Sequence, residues 1–117
     1  MRKTLTNLHR IVVDAALEKK AFDILALDIR QRSDVTDFFI LCSGNSKIQV
    51  QTIADSILEK IYGTENQLLA IEGYQEGEWV ILDLVDVFVH IFLKDVRRYY
   101  DLERLWGDVP VIKAEVV

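Results

Sequence analysis

The chain has 117 residues, half of them hydrophobic, and its 19 acidic and 14 basic side chains give a net charge of −5. This length fits one domain with a sizeable core, and the acidic balance argues against a nucleic-acid binder, whose affinity depends on Lys and Arg. A single cysteine excludes an intramolecular disulfide and a multi-cysteine zinc site. We expect no signal peptide after Arg2 and Lys3, no membrane span and a cytoplasmic location.

The first half of the chain predicts a helix, two strands and a second helix. Apolar residues at helical spacing predict a helix from Thr4 to about Lys20. Two mainly apolar stretches predict strands at Phe22–Ile29 and Asp37–Ser43, and the short link between them favours an antiparallel pair. The second helix is expected after Ser46, with Gly63 as its stop.

The second half is organised around the stretch from Glu72 to Leu93, which we interpret as a β-hairpin. Gly73 and Gly77 mark a turn before it, and Leu68–Ile71 predicts a short strand that leads into it. The hairpin strands are predicted at Trp79–Leu82 and Val87–Leu93 because both are rich in aromatic and branched residues. Both faces of the second strand are apolar, so we expect each face to be covered.

A last helix and a tail complete the predicted fold. The helix begins at Asp95 and places Val96 and Trp106 on its inner face, with Arg97 and Asp101 spaced to form an ion pair. Residues 1–108 are expected to form one domain and 109–117 a flexible C-terminal tail. The helix between the second and third strands allows a parallel crossover. We therefore predict an α/β fold, with helices packed on a mixed sheet of about five strands.

The sequence Gly44-Asn45-Ser46 lies between a predicted strand and a predicted helix. Main-chain N–H groups at such a place can bind a phosphate. The same residues also fit a simple helix cap, in which Ser46 and Gln49 form a capping box. The chain has neither a G-x-G-x-x-G motif nor a P-loop lysine, so the cap is the favoured interpretation.

Other residues with chemical potential favour structural roles. Five aspartates could hold a metal through their carboxylates, but they lie where aspartate is common in turns. Cys42 ends an apolar strand and is expected to be a buried, inert thiol. His90 lies among valines and phenylalanines, and a structural or contact role is favoured because no triad partner can be named. The aspartates are Asp28, Asp34, Asp37, Asp83 and Asp86.

Aromatic residues of the hairpin region lie among carboxylates. An apolar centre with an acidic rim is typical of a protein-binding patch, in which tryptophan and tyrosine are common anchors. Interface and core remain open alternatives for Trp79 and Tyr74, whereas Phe88 and Phe92 are expected in the core. The surrounding carboxylates are Glu72, Glu76, Glu78 and Asp83.

Three blocks of sequence carry a family resemblance. The first is Asp34–Ser46, DVTDFFILCSGNS, which Gln49 and Val50 follow. The second is 72–92, with EGY, WVILD, DV and VHIF in that order, and the third is YDLERLW at Tyr100–Trp106. Together they resemble the ribosomal silencing factor family, the Iojap-related proteins. Val85 departs from the family pattern, where glycine is expected.

This resemblance implies a function that composition alone does not. The fold is expected to be similar to that of nucleotidyltransferases but without catalytic activity or a cofactor. Members bind the large ribosomal subunit through ribosomal protein L-fourteen, on the face that meets the small subunit, and so obstruct subunit joining and lower translation. Organellar relatives act in assembly of the large subunit. A homodimer is compatible with this interpretation, and DNA and membranes are not expected partners.

The hairpin region supplies the predicted contact residues. We expect Trp79 to anchor the partner, with Tyr74 and Leu82 beside it, and Glu72 and Asp83 to pair with Lys or Arg of the ribosomal protein.

An alternative is a nucleotidyltransferase-like enzyme, or a nucleotide-binding protein, that uses the loop Gly44–Ser46 for phosphate and Asp28, Asp37 or Asp83 for a metal. Such enzymes need a closely spaced Asp-x-Asp pair on a strand, and this chain has none.

Overall fold

The structure, a computed structural model, describes residues 7–31, 34, 36–100 and 111–113. It has three helices and six strands in these ranges. The helices are α1 (Asn7–Glu18), α2 (Lys47–Ile61) and α3 (Lys94–Tyr100). The strands are β1 (Phe22–Asp28), β2 (Phe38–Gly44), β3 (Ala70–Glu72), β4 (Trp79–Asp83), β5 (Val87–Leu93) and β6 (Val111–Lys113).

The strands form one mixed sheet in the order β3-β4-β5-β2-β1-β6. β2 and β5 are parallel, and the other neighbouring pairs are antiparallel. The predicted antiparallel pair of the first two strands is therefore confirmed. The predicted crossover helix follows β2 as α2, but the parallel neighbour of β2 is β5, so the connection also includes β3 and β4 and does not pair β2 with the third strand.

The prediction of a flexible tail over 109–117 is wrong for residues 111–113. These residues form β6, which pairs with Leu25, Ala26 and Leu27 of β1. Val111 and Ile112 suit a strand, and β1 offers an open edge whose main-chain groups need partners. The sheet therefore has six strands instead of about five, and the other residues of the predicted tail lie outside the described ranges.

One side of the sheet, which we call the α1/α2 face, carries the larger core. Alternate strand residues such as Ile40, Leu82 and Ile91 pack there against the apolar sides of α1 and α2. The hydroxyl of Ser56 on α2 donates to the carbonyl oxygen of Ala15 on α1 at 3.0 Å, which joins the two helices. This face is closed by the chain's own helices.

The opposite side, the α3 face, carries a second apolar cluster. Leu41 and Phe92 lie in it, and Val96 of α3 packs against it, as predicted for the inner side of that helix. The guanidinium of Arg97 is buried and donates to the carbonyl oxygen of Asp23 at 2.6 Å and to the hydroxyl of Ser43 at 2.8 Å. These bonds fix α3 to β1 and β2. The predicted partner Asp101 and the predicted inner residue Trp106 lie outside the described residues.

The turn between β3 and β4 depends on glycine, as predicted. Gly73 and Gly77 both have positive φ, +79° and +68°. A Cβ atom on Gly73 would lie only 2.1 Å from the carbonyl oxygen of Trp79, so this turn approaches β4 too closely for any side chain. Glycine at position 73 therefore allows the turn to pack directly against the main chain at Trp79, where β4 begins.

Candidate protein-binding surface

Trp79 begins β4 on the α3 face, and its indole ring is held in a defined position. The ring stacks on Phe92, its cross-strand partner, with centroids 5.0 Å apart and an interplanar angle of 28°. The indole Nε1–H donates to Nδ1 of His90 at 3.0 Å. The side chain is partly exposed. A partly exposed tryptophan with a fixed orientation is a suitable anchor for a partner, because little rotamer freedom is lost on binding.

His90 supports the indole from the neighbouring strand. An indole N–H is a donor only, so Nδ1 of His90 accepts and the proton of the neutral ring lies on Nε2. Burial lowers the pKa of His90 to about 4, which keeps the ring neutral near pH 7. The ring of Phe39 packs edge-on against the ring of His90, with the two ring centroids 4.5 Å apart. His90 thus has a structural role in orienting Trp79.

Two of the predicted acidic contacts lie on the same face as Trp79. The strand register pairs Glu72 with Ile81 and Ala70 with Asp83, and cross-strand partners share a face. Glu72 is exposed, and Asp83 is half-buried with one carboxylate oxygen accepting from the main-chain N–H of Val85. We call Glu72, Trp79 and Asp83 the acidic–aromatic surface.

The other two predicted contact residues lie on the opposite side of the sheet. Leu82 is fully buried on the α1/α2 face, so the prediction that its side chain contacts a partner is wrong. The phenol of Tyr74 donates to the carboxylate of Asp55 on α2, at 2.9 and 3.1 Å to its two oxygens, and this hydrogen bond raises the pKa of Tyr74. The side-chain amide of Gln51 on α2 also donates to the main-chain oxygen of Tyr74, so Tyr74 holds the β3–β4 turn against α2. The five predicted residues therefore do not form one patch.

All charged side chains in the part of the chain that contains this surface are negatively charged. Residues 61–93 include six carboxylates and no Lys or Arg, whereas the rest of the chain is close to neutral. Five of the six are exposed, and Glu78 is paired with Lys47 of α2 at 3.4 Å. The acidic potential of the whole protein is therefore concentrated on β3, β4, β5 and their turns. The six are Glu65, Glu72, Glu76, Glu78, Asp83 and Asp86.

The loop Gly44–Ser46 is a helix cap that uses its own donors. The main-chain N–H of Gln49 donates to Ser46 Oγ at 3.1 Å, which confirms the predicted cap. The Gln49 side chain accepts from the N–H of Asn45 at 2.6 Å, one residue before the position expected in a capping box, and donates to the carbonyl oxygens of Lys19 and Lys20. These contacts join the start of α2 to the end of α1 and occupy N–H groups that a phosphate would need.

The remaining candidates for chemistry have structural surroundings. Asp28 is buried and accepts from the guanidinium of Arg30 at 2.9 and 2.7 Å. Within the described ranges, no three His, Cys, Asp or Glu residues come together in a group that could hold a metal ion. Cys42 is fully buried, which confirms its predicted burial, and burial raises its thiol pKa to about 12, which favours an inert thiol. In the same ranges, no helix has the length and apolar character needed to cross a membrane.

Residues 2–117 match the family described as ribosomal silencing factor during starvation, RsfS. The chain belongs to the ribosomal silencing factor family. It is 48% identical to ribosomal silencing factor RsfS of Bacillus subtilis over 105 residues, 90% of this chain and 89% of the relative. It is 43% identical to that of Halalkalibacterium halodurans over 111 residues, 95% of each chain. A crystal structure from Bacillus halodurans superposes with a TM-score of 0.80 at 40% identity, covering 91% of this chain and 96% of that one.

The turn between β4 and β5 contains a residue with an unusual main-chain conformation. Val85 stands where glycine is expected, and its φ is +75°, a region that β-branched residues rarely adopt. The N–H of Asp86 donates to the carbonyl oxygen of Leu84 at 3.0 Å, so the turn around Val85 is a γ-turn. The departure therefore leaves backbone strain at this turn.

Sequence reasoning missed the role of His90 beside Trp79 in this silencing factor. The alternation of Phe88, His90 and Phe92 predicts that they share a face, but it does not fix the register in which β4 lies alongside β5. Once Trp79 is paired with Phe92, His90 becomes its diagonal neighbour on the same face. The spacing of the residues in β5 is compatible with this contact, but the contact can be predicted only when the register of β4 against β5 is known.

Proposed function

We propose that this protein is a non-catalytic translational repressor that binds the large ribosomal subunit through ribosomal protein L-fourteen and so blocks joining of the small subunit. Membership of the silencing factor family supports a ribosome-associated regulatory role. The observation that carries the finer proposal is the partly exposed indole of Trp79, fixed by Phe92 and His90, with Glu72 and Asp83 on the same face.

The physical basis of binding is an apolar anchor combined with complementary charge. A pre-oriented indole loses little conformational entropy when it is buried. The carboxylates of residues 61–93 favour encounter with a basic ribosomal protein and disfavour direct contact with RNA phosphates. The anchor then provides affinity, and the charges provide steering and choice of partner.

Obstruction of the small subunit follows from size. The domain measures 38 × 35 × 27 Å, so a copy bound on the joining face would hold the subunits apart sterically. This mechanism needs no catalytic residue and no cofactor. We also propose a cytoplasmic location, which is consistent with a ribosome-associated role.

Two further parts of the proposal concern topology and assembly. We propose a nucleotidyltransferase-like topology without the enzyme's chemistry, since the capping contacts of Asn45 and Gln49 use N–H groups that a nucleotide phosphate would require. We also propose that the free protein forms a homodimer, because a surface that waits for a partner can pair with itself. Sedimentation velocity over a range of protein concentrations tests the dimer, and a concentration-independent monomer would contradict it.

The experiment for the main proposal is a subunit-joining assay by light scattering, with co-sedimentation on purified large subunits. Wild-type protein is expected to bind large subunits and slow joining. Trp79→Ala is expected to lose about 2 kcal/mol of binding free energy, roughly thirtyfold in affinity, and to restore joining. Trp79→Phe, which keeps the stacking on Phe92 but not the hydrogen bond to His90, is expected to lie between the two.

Ile48→Ala is the matched control, because Ile48 is a large apolar side chain exposed at the start of α2, and α2 packs on the face of the sheet opposite to Trp79. It is expected to bind and inhibit like the wild type. Unchanged inhibition by a folded Trp79→Ala variant would contradict the proposed site, and no binding by the wild type would contradict the proposed function.

A further inference from the structure

The sheet ends at β3, which is an edge strand. β3 is first in the strand order, and no other strand of the described chain lies beyond it. An edge strand has main-chain N–H and C=O groups on its outer side that can pair with another chain. Proteins often protect such edges with lysine, proline or a bulge, and residues 68–72, Leu-Leu-Ala-Ile-Glu, contain neither lysine nor proline.

The chain around β3 exposes large apolar side chains. Leu69, just before β3, is 64% exposed, and Tyr62, just after α2, is 90% exposed. Leu68 and Ile71 are each 40% exposed. Exposure of leucine and isoleucine side chains to water is unfavourable, and a cluster of exposed apolar residues often marks an interaction site.

A groove lies beside the start of β3 on the same side as α2. It has a volume of about 250 Å³ and is lined by Leu58 and Ile61 of α2, by residues 62, 63 and 66 of the following turn, and by Leu68. Ile71 pairs with Leu82, so it lies on the α1/α2 face, the side of the sheet on which α2 packs. Glu72 points to the opposite face, where Trp79 lies.

These observations define what an added strand would meet. A strand places successive side chains on alternate faces. One row of its side chains would lie over the apolar groove and Ile71, and the other row would lie beside Glu72 on the α3 face. Three residues of β3 offer few main-chain hydrogen bonds, so the apolar contacts around them are needed for affinity.

Charge decides between the possible occupants. Residues 61–93 carry six carboxylates and no Lys or Arg. A second copy would bring a segment of the same negative charge to this edge, and like charges brought together at an interface are unfavourable; we therefore expect the proposed homodimer to use other contacts. A segment rich in Lys or Arg would meet opposite charge at Glu65 and Glu72.

We propose that β3 is a docking edge to which an extended basic segment of the partner protein adds as a further strand. This inference rests on the proposed function and deepens it, because it gives the way in which ribosomal protein L-fourteen is held: by main-chain pairing at β3 in addition to the Trp79 anchor.

Substitutions in the apolar contacts test the proposal. Ile71→Gln and Leu69→Gln are each expected to weaken binding of purified L-fourteen by about tenfold, the scale of one good apolar contact. Ile48→Gln makes the same chemical change as Ile71→Gln at an exposed position on α2, and it is expected to leave the affinity unchanged. Leu69→Gln guards against misfolding of the half-buried Ile71 variant, and thermal unfolding of each variant establishes that the fold is kept.

Hydrogen exchange of the main chain gives the direct readout. Nitrogen-15-labelled protein is followed by NMR alone and with saturating L-fourteen. The N–H of Leu69 already donates to the carbonyl oxygen of Asp83 at 2.8 Å, so it serves as an internal reference. We expect exchange of the amides among residues 70–72 that point away from β4 to slow by about tenfold or more in the complex, because new main-chain hydrogen bonds protect their donors. Binding that protects the neighbourhood of Trp79 but leaves 70–72 unchanged would overturn the strand-addition proposal and keep the proposed function.

The other outcomes also give a decision. Protection of 70–72 that rises with protein concentration in the absence of L-fourteen would mean that a second copy occupies the edge, which overturns the proposal. No binding of L-fourteen by folded wild-type protein would overturn the proposed function and this inference with it.

Discussion

Replacement of Val85 by glycine is expected to relieve strain at the turn between β4 and β5. The φ of Val85 is +75°, and three hydrogen bonds hold the residue in this conformation. Its N–H donates to Asp83 Oδ1 at 3.0 Å, its carbonyl oxygen accepts from Thr36 Oγ1 at 3.1 Å, and the N–H of Asp86 bonds across it to Leu84. The turn cannot rotate to an easier conformation without the loss of these bonds.

The size of the effect follows from comparing glycine with alanine at this position. A residue with a Cβ atom loses about 1–2 kcal/mol in the left-handed region. Glycine avoids that penalty but adds about 0.5–1 kcal/mol of unfolded-state entropy relative to alanine. Both variants lose the two Cγ methyl groups of Val85, whose side chain is exposed. The two ranges together make Val85→Gly more stable than Val85→Ala by up to about 1.5 kcal/mol, and the midpoint, about 0.75 kcal/mol, corresponds to roughly 2–4 °C in a domain of this size.

Urea unfolding followed by circular dichroism measures this difference. Asp14 provides the control, because it is exposed in the interior of α1, where the usual order should hold and Asp14→Ala should exceed Asp14→Gly in stability by about 1 kcal/mol. A Val85→Gly variant less stable than Val85→Ala would refute the strain argument.

Three other predictions concern buried polar groups. The Cys42 thiol, with a pKa raised to about 12 by burial, should not react with Ellman's reagent at pH 8 until the protein is unfolded in urea, and rapid reaction in the folded state would contradict its burial. Arg97→Leu should lower the free energy of unfolding by about 1–3 kcal/mol in urea titration, since it removes charged hydrogen bonds to the Asp23 carbonyl and the Ser43 hydroxyl. For His90 the pKa is about 4 folded and 6.5 unfolded, so the unfolded chain binds the extra proton. Stability should fall as the pH drops from 6.5 to 4, and less steeply in His90→Phe; an equal slope in both would contradict the burial of a neutral ring.

Local patterns predicted most of the elements. The first two predicted strands agree with β1 and β2 to within one residue at each end, and Gly73 and Gly77 adopt the positive φ expected of the turn. The alternation in Val87–Leu93 also predicted both faces of β5 correctly. These features depend on residues close together in sequence, which is why composition and spacing were sufficient.

Contacts between distant segments were not predictable in the same way. The pairing of β6 with β1 joins residues more than 80 positions apart, and three residues carry no strong strand pattern of their own. The hydrogen bond from Tyr74 to Asp55 depends on how the turn packs against α2. Both features are decided by tertiary packing, which local propensity does not encode.

The grouping of Leu82 with Trp79 has a different explanation. Side chains alternate along a strand, so residues 79 and 81 share one face while 80 and 82 share the other. The structure follows this period, with Val80 and Leu82 fully buried and Trp79 partly exposed. The sequence therefore contained the information that separates the two residues, and nearness in the chain was a poor guide to a shared surface.

Calorimetric titration of purified ribosomal protein L-fourteen with this protein tests the central proposal most directly, with Trp79→Ala and Ile48→Ala measured alongside. We predict binding by the wild type and by Ile48→Ala, an affinity that falls as salt is raised, and a loss of about thirtyfold for Trp79→Ala. Equal binding by wild type and Trp79→Ala would contradict the site on the α3 face. No binding by folded wild-type protein would contradict the proposed partner.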